Sequence, residues 1–357
     1  MGIGDAISKT LSSWMKKQGP HGDIVLGTRV RLARNAKDVP FPATAGREER
    51  KEIMERSRGL LPSLSGHGEF QFLNMGEMEG LQRELLVEKH LISPVHGRQT
   101  VDRGLLLRQE EDISIMVNEE DHLRIQILYP GLQLEPTWQT ASNVDDVIEA
   151  QFDYAFDPER GYLTSCPTNV GTGMRASVML HLPALTRVNR LRQVLGTISQ
   201  FGLVVRGIYG EGSESSGNIY QISNQVTLGH REEEMVEHLE RVTQQIIQSE
   251  RQARDYLSQT ERRLPVEDAV FRSYGILSQA RLLTANEAMQ LLSDVRLGID
   301  LGFIPHLDSE ILKQLMVLIR AAHLQKIMGQ NLPEEERDRL RASLVRDMLR
   351  PTQPKGS

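Results

Sequence analysis

The chain has 357 residues, room for one large domain or two ordinary ones. Its 42 Lys and Arg against 48 Asp and Glu leave a formal net charge of −6, which argues against a protein that grips nucleic-acid backbones through excess positive charge. Hydrophobic residues at 39% and charged residues at 25% describe a globular chain, with no apolar run near the roughly 18 to 20 residues that cross a bilayer. The lone cysteine, Cys166, removes any disulfide framework and fits a reducing, cytoplasmic setting without membrane or nucleic-acid partners.

In chain order, Ile7, Leu11, Trp14 and Met15 recur at helical spacing up to Gly19-Pro20. Val30 and Leu32 then alternate with Arg29 and Arg31, the pattern of a strand edge or extended loop. Residues 47–60 and 76–92 read as helices around a strand-like Phe70-Gln-Phe-Leu73. Ile113 to Val117 and Arg124 to Tyr129 both alternate and are separated by the turn-rich Asn118-Glu-Glu-Asp-His122, which predicts an antiparallel hairpin. Helices are predicted from Leu134 to Ala150 and from Pro183 to Gln200, and strands at Leu203–Arg206 and Asn218–Ser223. From Glu232 strand signals stop, and helix starts are spelled at Thr284-Ala-Asn-Glu287 and Pro333-Glu-Glu-Glu336. The expected fold is α+β, a largely antiparallel sheet flanked by helices over 1–258, followed by an all-helical domain over 263–350, with the break near Leu264-Pro265.

Three segments carry chemistry that packing does not ask for. If extended, Thr28-Arg-Val-Arg-Leu-Ala-Arg34 points Arg29 and Arg31 the same way, as a pair of guanidinium forks suited to phosphate oxygens. Asn118 to Arg124 gathers three acids, a histidine and an arginine at a hairpin tip, but their spacing does not suit a protein-only metal site. Cys166-Pro-Thr-Asn-Val-Gly-Thr-Gly-Met-Arg175 reads as a glycine-rich loop whose backbone N–H groups approach an anion, with Arg175 adding charge. It is followed by Arg206-Gly-Ile-Tyr-Gly-Glu211 and Glu214. Neither loop is a Walker A motif or a dinucleotide fingerprint.

Taken together, these strings closely resemble the signatures of the guanidino phosphotransferases, or phosphagen kinases, over about residues 23 to 229, and above all the bacterial protein-arginine-kinase branch of that family. The resemblance implies ATP with Mg²⁺ held mainly by phosphates. The expected nucleotide contacts are Thr28, Arg29, Val30, Arg31, His90, Arg124, Arg175, Ala176, Ser177, Arg206, Gly207 and Gly210. It makes Glu120 the catalytic base and orienter, with Glu211 or Glu214 as second substrate carboxylate. Glu211 is preferred because it follows the Arg206–Gly210 phosphate segment directly. Tyr209 stands where phosphagen kinases have an arginine. Cys166 lies near the site without being a required nucleophile. Only about twenty residues precede Asp23, which leads us to expect an open site for protein substrates.

Arg337-Asp-Arg-Leu-Arg-Ala342 resembles that branch's phosphoarginine-binding motif. Arg337 and Arg341 lie four apart on one helix face beside Asp338. The resemblance further implies protein substrates with exposed arginines, a transcriptional repressor among them, an activator protein, an ATP-dependent protease complex and a stress-response role. The apolar stripe Ile311, Leu312, Leu315, Met316, Leu318, Ile319 is core or a homodimer interface. The competing readings are a kinase of free arginine or another small guanidine, and a nucleotide-binding adaptor without turnover.

Overall fold

The computed structural model describes residues 11–200, 202–207 and 216–350. Its strands are β1 (Val25–Arg34), β2 (Phe70–Asn74), β3 (Gly104–Arg108), β4 (Ile113–Val117), β5 (Leu123–Pro130), β6 (Phe156–Asp157), β7 (Gly161–Tyr162), β8 (Met174–His181), β9 (Leu203–Gly207) and β10 (Ile219–Asn224). Apart from the small β6–β7 hairpin they form one sheet in the order β2-β3-β4-β5-β1-β8-β10-β9, every neighbouring pair antiparallel. The helices of this part are α1 (Ser13–Lys16), α2 (Arg47–Arg58), α3 (Leu61–Leu64), α4 (Gly80–Glu88), α5 (Pro94–Arg98), α6 (Leu134–Glu149), α7 (Pro183–Arg187) and α8 (Leu191–Gln200). After the sheet come α9 (Glu232–Ser258), α10 (Thr260–Gln279), α11 (Ala285–Asp300), α12 (Ser309–Leu318), α13 (Ala321–Met328) and α14 (Glu334–Leu349).

The two faces of the sheet differ because strand side chains alternate. Val30, Leu32, Ile125, Ile127, Ala176, Val178 and Ile222 are buried on the face covered by α6 and α9. Arg34, in the same phase of β1, is buried on this side as well. Its guanidinium meets Asp145 of α6 at 2.6 Å, donates at 3.0 Å to the Ala33 and Thr172 carbonyls and lies 3.6 Å from the Tyr162 ring centroid. The Tyr154 hydroxyl donates to the other Asp145 oxygen at 2.9 Å, so this buried ion pair is fully hydrogen-bonded. A Cβ on Gly173, whose φ is +65°, would stand 2.7 Å from the Ala33 carbonyl, so this glycine lets the loop before β8 close onto β1.

The helices after the sheet pack back onto it through polar links. Arg254 of α9 bridges Asp23 at 3.2 Å and Asp300 at 3.3 Å, and Lys313 of α12 donates to the Lys17 carbonyl at 3.0 Å. Both oxygens of Glu88, the last residue of α4, cap the start of α13: they accept from the Ala322 and His323 N–H groups at 2.9 and 3.0 Å, and His323 Nδ1 lies 2.6 Å away.

Two expectations change. The segment from Pro183 to Gln200 is two helices, because Asn189 at φ 56° interrupts the turn between them. Met174–His181 is a central strand rather than loop, so Arg175 is presented by the sheet itself. Gln259, with an extended backbone (φ −60°, ψ 142°), separates α9 from α10, and Leu264 and Pro265 lie inside the first turns of α10.

Candidate active site

The antiparallel register brings the arginines to one face. Arg29 lies opposite Ser177, Arg31 opposite Arg175 and Gln126, Ala33 opposite Arg124, and Gln221 opposite both Met179 and Arg206. Arg29, Arg31, Arg124, Arg175 and Arg206 therefore project from four strands, β5, β1, β8 and β9, on the side away from α6 and α9. Arg29 is steadied by Gln221 Oε1 at 3.0 Å. The Nε groups of Arg29, Arg31 and Arg175 are buried and have no hydrogen-bond partner among the described residues. Burial, then the charges of Arg124 and Arg175, lower Arg29 to about 10, and burial, then the charges of Arg29, Arg124 and Arg175, lower Arg31 well below the ordinary value. Burial and the charges of Arg206 and Arg124 lower Arg175 too. Crowded donors without acceptors are what a polyphosphate would satisfy.

At one end of this face the β4–β5 turn carries two glutamates whose pKa values are shifted in opposite directions. Glu119 pairs with Arg124 at 2.8 Å and accepts from Ser93 Oγ at 2.6 Å. Burial acts to raise its pKa, but Arg124 and these hydrogen bonds bring it down to about 2. Glu120 is more exposed, and its pKa is raised by partial burial and by the charges of Asp121 and Glu119, partly offset by Arg124 and a hydrogen bond with Cys166. A small pocket of about 100 Å³ joins Glu120 and Cys166 to Arg31, Arg124 and Arg175.

The turn is braced from below. Asp121 Oδ1 accepts from Asn35 Nδ2 and the Ser165 N–H, both at 2.7 Å, while His122 Nδ1 accepts from the Ala36 N–H at 3.1 Å and Nε2 meets the Pro40 carbonyl at 3.0 Å. Asp121 and His122 thus hold the turn that presents Glu120.

Other expected residues are placed as follows. Thr28 is buried and hydrogen-bonds through Oγ1 to the Gly131 carbonyl at 2.7 Å. Val30 and Ala176 are fully buried on the core face, and Ser177 is buried beneath Arg29. Gly207 ends β9 opposite Tyr220, whereas Gly210, Glu211 and Glu214 lie outside the described residues. His90 sits near Arg29 and 6.1 Å from the Trp14 ring; burial, then Arg29, Arg320 and His323, lower it to about 3, so it is neutral. It borders an apolar slot with Met179, Met15, Met289 and Met316, the last two from the helical part.

On α14 the motif residues separate. Arg341 is buried, donating to the Ile319 carbonyl at 2.8 Å, the Leu283 carbonyl at 2.6 Å and Asp338, whereas Arg337 borders an open pocket of about 680 Å³ beside Arg83 and Arg98. Cys166 Sγ is 3.0 Å from Thr168 Oγ1. Gln221 and Met289 carry no local signal of a place at the site, Met316 is legible only as part of an apolar stripe, and Glu119 as the partner of Arg124 is signalled only by its place beside Glu120.

Clustered cations for a polyphosphate, beside a carboxylate suited to a cationic acceptor, define a phosphotransferase acting on a basic group. Comparison with known proteins agrees. Residues 52–253 match the ATP:guanido phosphotransferase C-terminal catalytic domain, and residues 263–357 match the protein-arginine kinase McsB C-terminal domain. The chain is 52% identical to a protein-arginine kinase of Halothermothrix orenii, covering 98% of this chain and 99% of that one. It is 49% identical to one of Bacillus subtilis, covering 98% and 96%. Among solved structures it resembles the duplicated taurocyamine kinase of Schistosoma mansoni with bound transition-state-analogue components. The TM-score is 0.59 and the identity 28%, over 66% of this chain and 35% of that one. Lombricine kinase shares the fold at TM-score 0.57 and 23% identity, over 68% of this chain and 71% of that one.

The chain belongs to the ATP:guanido phosphotransferase family, among its protein-arginine kinases. Membership implies ATP as phosphoryl donor. No helix among the described residues is long and apolar enough to cross a membrane.

Proposed function

We propose that the chain transfers the γ-phosphoryl group of ATP to arginine side chains of proteins, and the observation that carries the reading is the arginine face ending at Glu120. Arg29, Arg31, Arg124, Arg175 and Arg206 hold the triphosphate and offset charge on the transferred group. Mg²⁺ arriving with ATP would be held mainly by phosphate oxygens and would neutralise more of that charge. A guanidinium must lose a proton before its nitrogen can attack phosphorus. Glu120, with its raised pKa, orients the planar fork and takes that proton as the N–P bond forms and the bond to the ADP oxygen breaks. One of Glu211 and Glu214 supplies the second carboxylate, and His90 adjoins the nucleotide base.

The finer biology follows the family. The products mark proteins for an ATP-dependent protease and silence a transcriptional repressor. An activator protein assists, Arg337 at its open pocket senses phosphoarginine while the buried Arg341 and its partner Asp338 hold that helix in place, and the helical domain forms a cytoplasmic homodimer. The division into a catalytic domain at 1–258 and a helical one at 263–350 belongs to this reading.

Mg·ATP offered to an arginine-rich protein and to free arginine side by side tests it. Acid-labile phosphate on the protein that disappears in Glu120→Ala supports the reading; label on free arginine alone overturns it.

A further inference from the structure

Glu120 borders two spaces. On one side lies the small pocket of the arginine face; on the other lies an open trough of about 690 Å³ between the start of α2, the segment after α5 and the β4–β5 turn. The trough is within the size range of sites that take drug-sized ligands, far more than one guanidinium fills.

Its charge is of the wrong sign for a second guanidinium. Arg50, Arg98 and Arg103 line it, and of the two acids present Glu119 is neutralised by Arg124 at 2.8 Å while Glu120 faces both spaces. Two of these cations have unmet hydrogen-bonding capacity. Arg50 Nε and Arg103 Nη1 are buried without a partner among the described residues, although Arg103 Nη2 donates to Gln99 Oε1 at 2.6 Å. Among the described residues Arg98 donates only to the Pro94 carbonyl, at 3.2 Å, and lies exposed. Carboxylates from an arriving chain would satisfy these forks.

We infer that this trough receives the polypeptide flanking the target arginine and that Arg50, Arg98 and Arg103 select segments with Asp or Glu beside that arginine. The inference rests on the protein-arginine kinase reading, and the occupant follows from position: whatever enters the trough while a guanidinium meets Glu120 belongs to the same substrate chain. The three arginines touch neither the transferred phosphoryl group nor the acceptor nitrogen. They set which arginines are reached, chiefly through KM and in a salt-dependent way.

The test uses the full chain and three peptides with one central arginine, flanked by acidic, neutral or lysine residues. The wild type is expected to prefer the acidic flank over the lysine flank by roughly tenfold or more in kcat/KM, as several partly exposed pairs would produce together. Arg50→Glu with Arg103→Glu is expected to abolish or invert that order while turnover of the neutral peptide stays within about threefold. Arg98→Glu, on an exposed position, gives a smaller change in the same direction and keeps the test open if the double variant fails to fold. Indifference of the wild type to the flanks, or a preference that persists in the variants, would overturn the inference and leave the kinase reading intact. Failure of the wild type to phosphorylate any of the peptides overturns both.

Discussion

Arg31 of β1 and Arg175 of β8 stand directly opposite each other in antiparallel register, and the Nε of each is buried without a partner among the described residues. Like charges in this position destabilise a sheet, so the pair is kept for a ligand rather than for the fold. Arg31→Met is expected to leave thermal stability equal or raised by up to about 1 kcal/mol, while phosphotransfer falls by about 10³-fold. Calorimetry and an ATP-consumption assay on the same preparation check it; a clearly lowered melting temperature would contradict it.

Arg34, three residues further along β1, should behave in the opposite way. Its donors are committed to Asp145, Ala33 and Thr172. Arg34→Met leaves Asp145 buried and without its counter-ion, at a cost of about 3–5 kcal/mol. Denaturant unfolding is expected to show that loss. A variant as stable as the wild type would show that the pair does not hold α6 against the sheet.

The pH profile reports on Glu120. A base must be deprotonated, so kcat/KM rises with pH through its pKa, and burial with the Asp121 and Glu119 charges places that limb above the ordinary carboxylate value. The hydrogen bond with Cys166 favours the charged form. Cys166→Ala is therefore expected to move the acid limb to higher pH, with plateau turnover within about threefold of the wild type. Complete loss of turnover would instead make the thiol essential.

Glu88 ties the helical part to the side proposed to hold the nucleotide, because its carboxylate caps α13 only two residues before His90. Glu88→Ala should cost about 1–2 kcal/mol, as for other lost helix caps. Met316 shares the apolar slot with His90, so the KM for ATP should rise more than kcat falls. Unfolding and steady-state kinetics together check this, and equal effects on substrates and nucleotide would contradict it.

Much of this was legible in the chain. The alternation of Arg29 and Arg31 with Val30 and Leu32 foretold two guanidinium groups on one face, and the hairpin around Asn118–His122 formed where its pattern placed it. Gly104–Arg108 was missed because the run Leu105-Leu-Leu107 is buried throughout and shows no period of two. Met174–His181, also buried nearly throughout, hid behind its glycine-rich approach. Glu88 and His323 are 235 residues apart, and nothing local links them. The approach of α11 and α12 to His90 is equally a product of tertiary packing, beyond what propensity or motif spacing records.

The most direct measurement of the central claim is ³¹P NMR of an unfolded arginine-containing protein after incubation with the enzyme and Mg·ATP, run beside Glu120→Gln. The account predicts a phosphoramidate signal on the wild-type product, lost on acid treatment and absent with the variant. A phosphoester signal, or a phosphoramidate formed equally well by Glu120→Gln, would contradict it.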